Sequence, residues 1–413
     1  MPSTATQRSK AHRACAACGA TSRTVCHHQR FVVPDGYPLP AEYDVVACQR
    51  CGFVYADADA TQLDYDRFYS DWSKYDDSAT STGSGTCSYD AARLTQTARD
   101  IARVLPSRAA TILDVGCATG GLLTALHEQG FSSVAGLDPS PRCAAACRER
   151  GFQAYAGSIA SPPPHMPKFD CLVFSHVLEH VLDIDSFFAA ARSGITPGGY
   201  LYIETPDASR YVEYLYAPFQ EFNTEHINHF SPRTLETAAI QHGFKRVVVE
   251  QKLLVTGKDK LYPAVFGMFQ DNGTVADSKP IGRDVELGAR IGAYIQRSQE
   301  QMTAIDRHIA SKLAPATEII VWGAGQLSMK LMALPSLKRL TVRAFVDSNP
   351  VLRGKQIAGA PVVGPHELLG TDQPILIATL LHAGEIAANI RSLGLTNPIM
   401  ELPSFERGDG ASV

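Results

Sequence analysis

Three groups of residues in this 413-residue chain have the types and spacing to do chemistry. The first runs Asp114-Val-Gly-Cys-Ala-Thr-Gly120, and Asp138 follows twenty-four residues after Asp114. Glycines so placed let the backbone press against a ligand at the end of a strand, and an acidic side chain one strand later can hold both hydroxyls of a ribose. The form D-x-G-x-x-x-G lacks the third glycine of the dinucleotide fingerprint, and Asp114 would repel a pyrophosphate. The pattern suits a cationic nucleoside without phosphates. The second group is Cys15-Ala-Ala-Cys18 with Cys48-Gln-Arg-Cys51, each pair followed by glycine. Four thiolates from two such knuckles fill a zinc tetrahedron and leave no position for a reacting water, which makes the site structural. Cys26, His27 and His28 could replace one ligand, but the four-cysteine spacing fits better. The third group pairs imidazoles with carboxylates: Ser175-His-Val-Leu-Glu-His180, and Glu225-His226 with His229 close behind. Such pairs move protons near neutral pH.

Each group needs a scaffold to position it. Thr111-Ile-Leu before Asp114 reads as a strand, and Leu122, Leu123 and Leu126 mark an amphipathic helix that Gly130 ends. Val134 to Leu137 is a second strand delivering Asp138-Pro139, and Phe152 to Tyr155 a third, leading to Gly157-Ser158. Phe169 to Phe174 is the central strand, with His176, Glu179 and His180 off its end. H-x-x-E-H is also a zinc-peptidase spelling, yet that chemistry needs both histidines on one helical face, and this segment leaves a strand. A further strand, Pro197 to Glu204, precedes a loop from Phe219 to Ser231 that puts Glu225, His226 and His229 at the carboxyl edge of the sheet, where ligands gather. Val247 to Val249 and Leu253 to Val255 predict a closing antiparallel hairpin.

On either side of this core lie two other units. Residues 54 to 90 carry Tyr55, Tyr65, Tyr69, Trp72 and Tyr75 in a polar, serine-rich stretch, which predicts a lid with its rings half buried over a pocket. A helix from about Ser88 to Val104 enters the core, and a long helical pattern from about Asp284 to Leu313 leaves it. Then comes a second glycine turn, Gly323-Ala-Gly325, with strands near Ala344 to Asp347 and Ile375 to Ala378. Ser328 stands where a third glycine would, so a degenerate nucleotide fold used for docking fits better than a redox domain. The expected architecture is α/β: a zinc ribbon and lid over 1–87, a Rossmann-like core over 88–283, and a long helix with a second Rossmann-like unit over 284–413.

The net charge is −4 and no apolar run approaches a membrane-spanning length, so neither a nucleic-acid footprint nor a membrane partner is expected. The first fourteen residues are polar, without the apolar stretch of a secretion signal, and the expected location is cytoplasmic. Ten cysteines in such a chain serve metal or stay free. The segment after the central strand is not the Asn/Asp-Pro-Pro-aromatic loop that grips a base's amine, and there is no Pro-Cys pair to attack a pyrimidine. A small-molecule substrate remains.

Asp114 to Gly120, with Asp138, resembles motif I and the following acidic residue of class I methyltransferases, which use S-adenosylmethionine. That resemblance implies a cofactor site lined by Asp114, Gly116, Cys117, Gly120, Asp138, Pro139, Ser158, Ser175 and His176, with Ser158 toward the adenine amine. The order of parts is similar to the three-domain sugar C-methyltransferases that tailor nucleotide-linked deoxysugars for natural products, antibiotics included. The likeness includes Val-Leu-Glu-His180 with Asp183, Glu225-His226 with Phe230-Ser231, and Gly323-Ala-Gly325 with Val346-Asp347, Asn349-Pro350 and Gly354. It implies a 4-keto sugar nucleotide as substrate, deprotonated beside the ketone so that the enolate carbon takes the methyl group. His226 would be the base, Glu225 would orient it, and His180 and Tyr75 would lie near the sugar. The chain departs from that family at Asn223-Thr224, where Tyr-His is usual, and at Gly257-Lys-Asp-Lys-Leu, where Gly-Gly-Ser-Leu-Arg is. The tyrosine-serine segment before the core is also only loosely kept around Tyr75 to Ser78, and all three departures lie where the sugar would sit. O- or N-methylation of another small natural product is the alternative on the same scaffold, and a nucleic-acid-binding zinc ribbon is the alternative of another class.

Overall fold

The computed structural model describes residues 12–72, 83–258, 260–273, 282–313, 316–368 and 370–405. Gly19 and Gly52, the glycines after the cysteine pairs, take left-handed φ of +68° and +82°. A side chain on Gly52 would also meet the Asp284 carbonyl oxygen at 2.1 Å, so only glycine closes that turn. Strands β1 (Arg23–Arg30), β2 (Glu42–Cys48) and β3 (Val54–Asp57) follow as an antiparallel meander. Helix α1 (Gln62–Asp71) starts on a capping box between Thr61 and Asp64. Its Tyr65 and Phe68, with Trp72 one turn on, are buried, and Tyr37 meets the rings of Phe68 and Trp72 at 5.7 and 5.1 Å. The expected lid is corrected here: Tyr55 and Tyr65 are core residues, because β3 and α1 each turn a whole apolar face inward. Tyr69 does reach the candidate site, edge-on to His180 with 6.0 Å between ring centroids. Tyr75 and Ser78 lie outside the described residues.

The core begins with α2 (Ser88–Val104) and continues through β4 (Ile112–Val115), α3 (Gly121–Glu128), β5 (Val134–Asp138), α4 (Pro141–Glu149) and β6 (Gln153–Ala156). Then come β7 (Phe169–Ser175), α5 (Ile184–Gly194), β8 (Ile195–Pro206), β9 (Asn228–His229), α6 (Pro232–Gln241), β10 (Phe244–Gly257) and β11 (Lys260–Asp271). Seven strands form one sheet in the order β10-β11-β8-β7-β4-β5-β6. The five from β8 to β6 are parallel, and β11 and β10 close the edge antiparallel. The chain steps outward from β4 to β6, then crosses back to β7 on the other side of β4. A crevice therefore opens at the carboxyl ends of β4 and β7. All four residues of β4 are buried, Asp114 among them, as a central parallel strand demands.

The closing hairpin differs from expectation. Val247 to Val255 is one continuous strand, β10, and its partner β11 begins only at Lys260. The polar run Glu250-Gln-Lys252 reads as a turn in sequence, but it carries Lys252 inward to a buried carboxylate. Strand β9 leaves the core altogether and pairs with β3, Val54 opposite His229. Arg13 fastens the same joint: its guanidinium donates to the carbonyls of Leu182 at 2.7 Å, Val181 at 3.2 Å and Ile227 at 3.4 Å, and to Asn228 Oδ1 at 3.0 Å.

Helix α7 (Leu287–Lys312) turns Leu287, Ile291, Tyr294, Ile305 and Ile309 inward at helical spacing. Beyond it lie β12 (Glu318–Trp322), α8 (Gln326–Leu331), β13 (Thr341–Val346), β14 (Gln356–Ile357), β15 (Ala360–Val363), β16 (Ile375–Ile377), α9 (Ala383–Ser392) and β17 (Ile399–Glu401). Their sheet runs β14-β15-β13-β12-β16-β17. One apolar cluster joins Phe31 and Tyr43 of the first sheet, Phe219 and Phe222 of the core loop, Tyr294 of α7, and Val321 and Phe345 of the last sheet. The α/β architecture read from the sequence is thus what folds: a Rossmann-like core, a cysteine-bearing amino-terminal sheet and a second Rossmann-like unit. No helix among the described residues is long and apolar enough to cross a membrane. Replacing Arg13 with glutamine strands several buried carbonyls, and should lower the urea midpoint by the equivalent of about 2–4 kcal/mol. A midpoint unchanged to within about 0.5 kcal/mol would show that Arg13 is not the fastening.

Candidate active site

The glycine turn after β4 is built for close approach. Gly116 and Gly120 have φ of +80° and +87°, and Ala118 between them has +46°. Ala118 holds that strained geometry because its amide donates to Asp138 Oδ2 at 2.9 Å, while Ser140 N donates to Oδ1 at 2.9 Å. Asp138 therefore shapes the turn as well as edging the crevice. The segment from Gly83 to Gly85 lies directly on it: Gly121 N donates to Gly83 O, and any side chain on Gly121 would strike that oxygen. Cys117 is placed otherwise than expected. Its side chain turns into the core, 3.7 Å from the Cys147 sulfur, because Gly136 of β5 leaves room there. Ser158 follows Gly157, whose amide donates to the Asp138 carbonyl, so it does stand beside the end of β5; Pro139 is exposed.

Asp114 is the electrostatic oddity of the crevice. Burial first, then the charge of Asp138, push its carboxyl up to about 7, against a smaller pull from Arg93. Two buried carboxylates facing one crevice favour a cationic ligand. A pyrophosphate would find the opposite of what it needs.

A second polar cluster hangs from the ends of β7 and β8. His176, at φ +57°, takes a left-handed conformation that costs a non-glycine residue about 1–3 kcal/mol. Its ring bridges two buried carboxylates: Nδ1 is 3.1 Å from Glu179 Oε1 and Nε2 is 3.3 Å from Glu204 Oε1. Burial opposes charge on this ring, but the two carboxylates outweigh it and hold the imidazolium up to about 9. Glu204 is further paired with Lys252 and accepts from Tyr202 Oη at 2.7 Å and from Thr97 Oγ1 at 3.0 Å. Ser175 contributes a long contact, 3.5 Å, to the same carboxylate.

His180 and His226 meet edge-to-face, 4.9 Å between centroids. His180 Nδ1 donates to the Glu225 carbonyl at 3.1 Å, and burial pushes this ring down to about 4, so it is neutral. His226 is the reverse. Burial opposes its charge, yet Glu221 first, then Glu179 and Glu225, raise it above the ordinary histidine value. Glu221, five residues before it, sets a carboxylate beside its ring, with Oε2 3.4 Å from Nδ1. Glu221 accepts in turn from Tyr262 Oη at 2.8 Å. Glu225 serves through its main chain, because Asn223 Oδ1 takes the amides of both Glu225 and His226 at 2.8 and 2.7 Å and folds the loop back on itself. His229 is buried beside Tyr211 and pushed down to about 3 by burial, with no part in the pair.

The loop that carries Glu221 and His226 is braced from outside the core. Two side chains of α7 accept from its backbone: Phe219 N donates to Ser298 Oγ at 3.1 Å, and Glu221 N to Tyr294 Oη at 2.9 Å. Lys330 of α8 donates to the Phe219 carbonyl, and Gln326 Nε2 to Thr224 Oγ1 at 2.8 Å. Burial lowers Lys330 to about 7, with Glu221 pulling the other way. In the second glycine turn, by contrast, both oxygens of Asp347 are taken by amides of Ala324 and Asn349. The four sequence-marked cysteines converge as well: their sulfurs lie within 4.8 Å of one another, with Cys15 to Cys51 at 3.5 Å and Cys18 to Cys48 at 3.6 Å. Tetrahedral sulfurs at zinc bond lengths stand about 3.8 Å apart, so the donor set fits that ion.

Residues 89–250 match the methyltransferase domain family. That stretch is similar to a methyltransferase domain. Similar curated proteins include ubiquinone biosynthesis O-methyltransferases of Methylobacterium nodulans, 32% identical over 118 residues, and of Xylella fastidiosa, 31% identical over 115. Those matches take in 26% and 25% of this chain and 45% of each relative, so the chain spans less than half the length of the curated relatives it matches. Among solved structures, a didemethyltoxoflavin N1-methyltransferase of Burkholderia thailandensis is 18% identical with a TM-score of 0.39, over 54% of this chain and 96% of that one. A methyltransferase of Methanosarcina mazei is 19% identical with a TM-score of 0.35, over 42% and 96%.

Within the methyltransferase domain the glycine turn is the part the sequence announces. Glu221, Glu204 and Lys252 are the parts it hides, since a lone buried charge carries no local pattern. Asp114 gives a test with a definite sign. Its folded value of about 7 lies above the roughly 3.9 of an unfolded aspartate, so this group's contribution to stability falls as pH rises through that window and is flat above it. A cation beside Asp114 favours the carboxylate and expels the proton, so cofactor affinity should climb as pH rises toward 7 and then level off. Asp114→Asn should remove that slope and weaken binding by about tenfold or more. Calorimetry in buffers of different ionisation enthalpy reads both effects, and an undiminished slope in the variant would contradict the assignment.

Proposed function

We propose that this chain deprotonates a small acceptor at His226 and methylates the carbon so exposed, next to the ketone of a nucleotide-linked deoxysugar or a related natural-product intermediate. The observation that carries this reading is the Glu221–His226 pair, which stands on the carboxyl-edge loop and runs through His180, Glu179 and His176 to the end of β7. An imidazole with a carboxylate behind it takes a proton beside a carbonyl and is stabilised once charged. Bound at Asp114, Gly116, Gly120 and Asp138, S-adenosylmethionine supplies an electrophilic methyl group. The protein's share is to hold the acceptor in line with that group, exclude water, and receive the proton. Lys330, Gln326, Tyr294 and Ser298 keep the base-bearing loop in place.

O-methylation is the second reading, favoured by the naming of the similar proteins as ubiquinone biosynthesis O-methyltransferases. A hydroxyl acceptor also has to lose a proton, so the same pair would serve. We further assign a structural zinc to Cys15, Cys18, Cys48 and Cys51.

His226→Asn should cut turnover by about 10²–10⁴-fold while leaving cofactor affinity within about twofold. Glu221→Gln should cost less, and Glu225→Gln less again. Mass spectrometry with fragment mapping of products from candidate keto sugars locates the added methyl: on carbon it supports the first reading, on oxygen the second. Full turnover in His226→Asn would remove His226 as base. Metal analysis should find at least one zinc per chain, and Cys48→Ser should lose the quartet's zinc together with much of the thermal stability. A zinc-free chain of undiminished stability would contradict the structural assignment.

A further inference from the structure

We infer that Glu179, His180 and His226 form a second metal site, for a divalent transition-metal ion of the zinc, cobalt or nickel class, and that occupation of this site switches the proton-abstracting centre off. One donor atom from each residue lies within 4.8 Å of the others. Zinc with two imidazole nitrogens and one carboxylate oxygen brings its ligands to about 3.4 Å from each other, a contraction that small side-chain rotations supply.

Two observations go beyond proximity. Each imidazole already has a second-nitrogen neighbour of the kind metal-bound histidines use: His180 Nδ1 donates to the Glu225 carbonyl at 3.1 Å, and His226 Nδ1 faces the Glu221 carboxylate, with Oε2 at 3.4 Å, a charge contact short of a hydrogen bond. That leaves Nε2 of each ring as the donor. The third ligand has an opening of its own. Glu179 is 1% exposed, its Oε1 is shared with His176 and lies 3.9 Å from His180 Nε2, and its Oε2 has no hydrogen-bond partner among the described residues. A buried carboxylate oxygen left bare is costly, and a cation would give it a partner. Two nitrogens and one carboxylate select borderline transition metals over magnesium or calcium, and three ligands leave a position open for water or an acceptor oxygen, unlike the closed cysteine quartet.

Binding the ion takes the lone pair that His226 needs for a proton. Metal occupancy and base catalysis therefore exclude each other. This consequence rests on His226 being the base; the binding itself does not.

The test uses the full chain with its cysteine quartet already filled by zinc. Titration with cobalt(II), read by equilibrium dialysis and by d–d absorption, should show one further equivalent bound per chain. Glu179→Gln and His180→Asn should each weaken that equivalent by about tenfold or more, and Glu221→Gln, which touches only the outer shell, by about tenfold. Unchanged affinity for S-adenosylmethionine in each variant shows that the fold is intact. No second equivalent, or equal affinity in wild type and both ligand variants, overturns the site. Methyl transfer should fall with the same midpoint as binding. If cobalt binds as described but turnover persists, the exclusion is overturned and His226 is not the base. If cobalt fails to bind while His226→Asn is inactive, the base stands and the metal site does not.

Discussion

The burial of carboxylates at the ends of parallel strands is the constraint to which the rest of the molecule answers. Asp114, Asp138, Glu179, Glu204 and Glu221 are all withdrawn from water. A bare charge in such a place is prohibitive, so each must find a partner or change its protonation. Glu204 finds Lys252, His176, Tyr202 and Thr97, and these hold it ionised although burial works against it. Glu179 finds His176 but keeps one oxygen without a hydrogen-bond partner among the described residues. Asp138 is satisfied by backbone amides. Asp114 is the one of these that burial leaves half-protonated near neutrality, and it stands at the ligand crevice. Groups that solve the problem internally are scaffold; those that do not are where ligands act.

Solving it for His226 takes more than the core. The loop from Phe219 to Ser231 has almost no regular structure, and its backbone at Phe219 is strained at φ +52°. It keeps one conformation because α7, α8 and the amino-terminal sheet all hold it, the last through Tyr43 Oη to the Asn223 carbonyl at 2.8 Å and Tyr37 Oη to Thr224 at 2.7 Å. The shared apolar cluster makes these units one body around the loop. A second Rossmann-like unit used as a brace explains why Asp347 and Ser328 can spend their hydrogen bonds on the turn itself, with Ser328 Oγ donating to the Gly323 carbonyl.

What could be read from the sequence is what depends on local pattern. The β4 turn, its flanking helix and Asp138 follow from glycine spacing and periodicity. The cysteine quartet follows from two repeated knuckles, and the long helix from its apolar stripe. What escaped depends on distant pairing. Glu225 adjoins His226 in sequence and is the partner the pattern suggests, while the turn made by Asn223 also brings its main chain to His180, and Glu221, five residues before His226, adds a carboxylate that no local pattern announces. The polar centre of β10 read as a break because Lys252 is paired across the sheet rather than exposed. Aromatic residues before the core suggested a cover, but α1 spaces Tyr65, Phe68 and Trp72 for packing, and among the described aromatics of that stretch Tyr69 is the one set against His180.

The claim beneath all of this is that two buried carboxylates make the crevice of β4 and β7 a seat for a cationic nucleoside. Isothermal titration of the full chain with S-adenosylmethionine, and separately with a nicotinamide dinucleotide, puts it most directly to the test. Saturable heat from the methyl donor and none from the dinucleotide is the expected result. Tight binding of the dinucleotide with no heat from the methyl donor would contradict it.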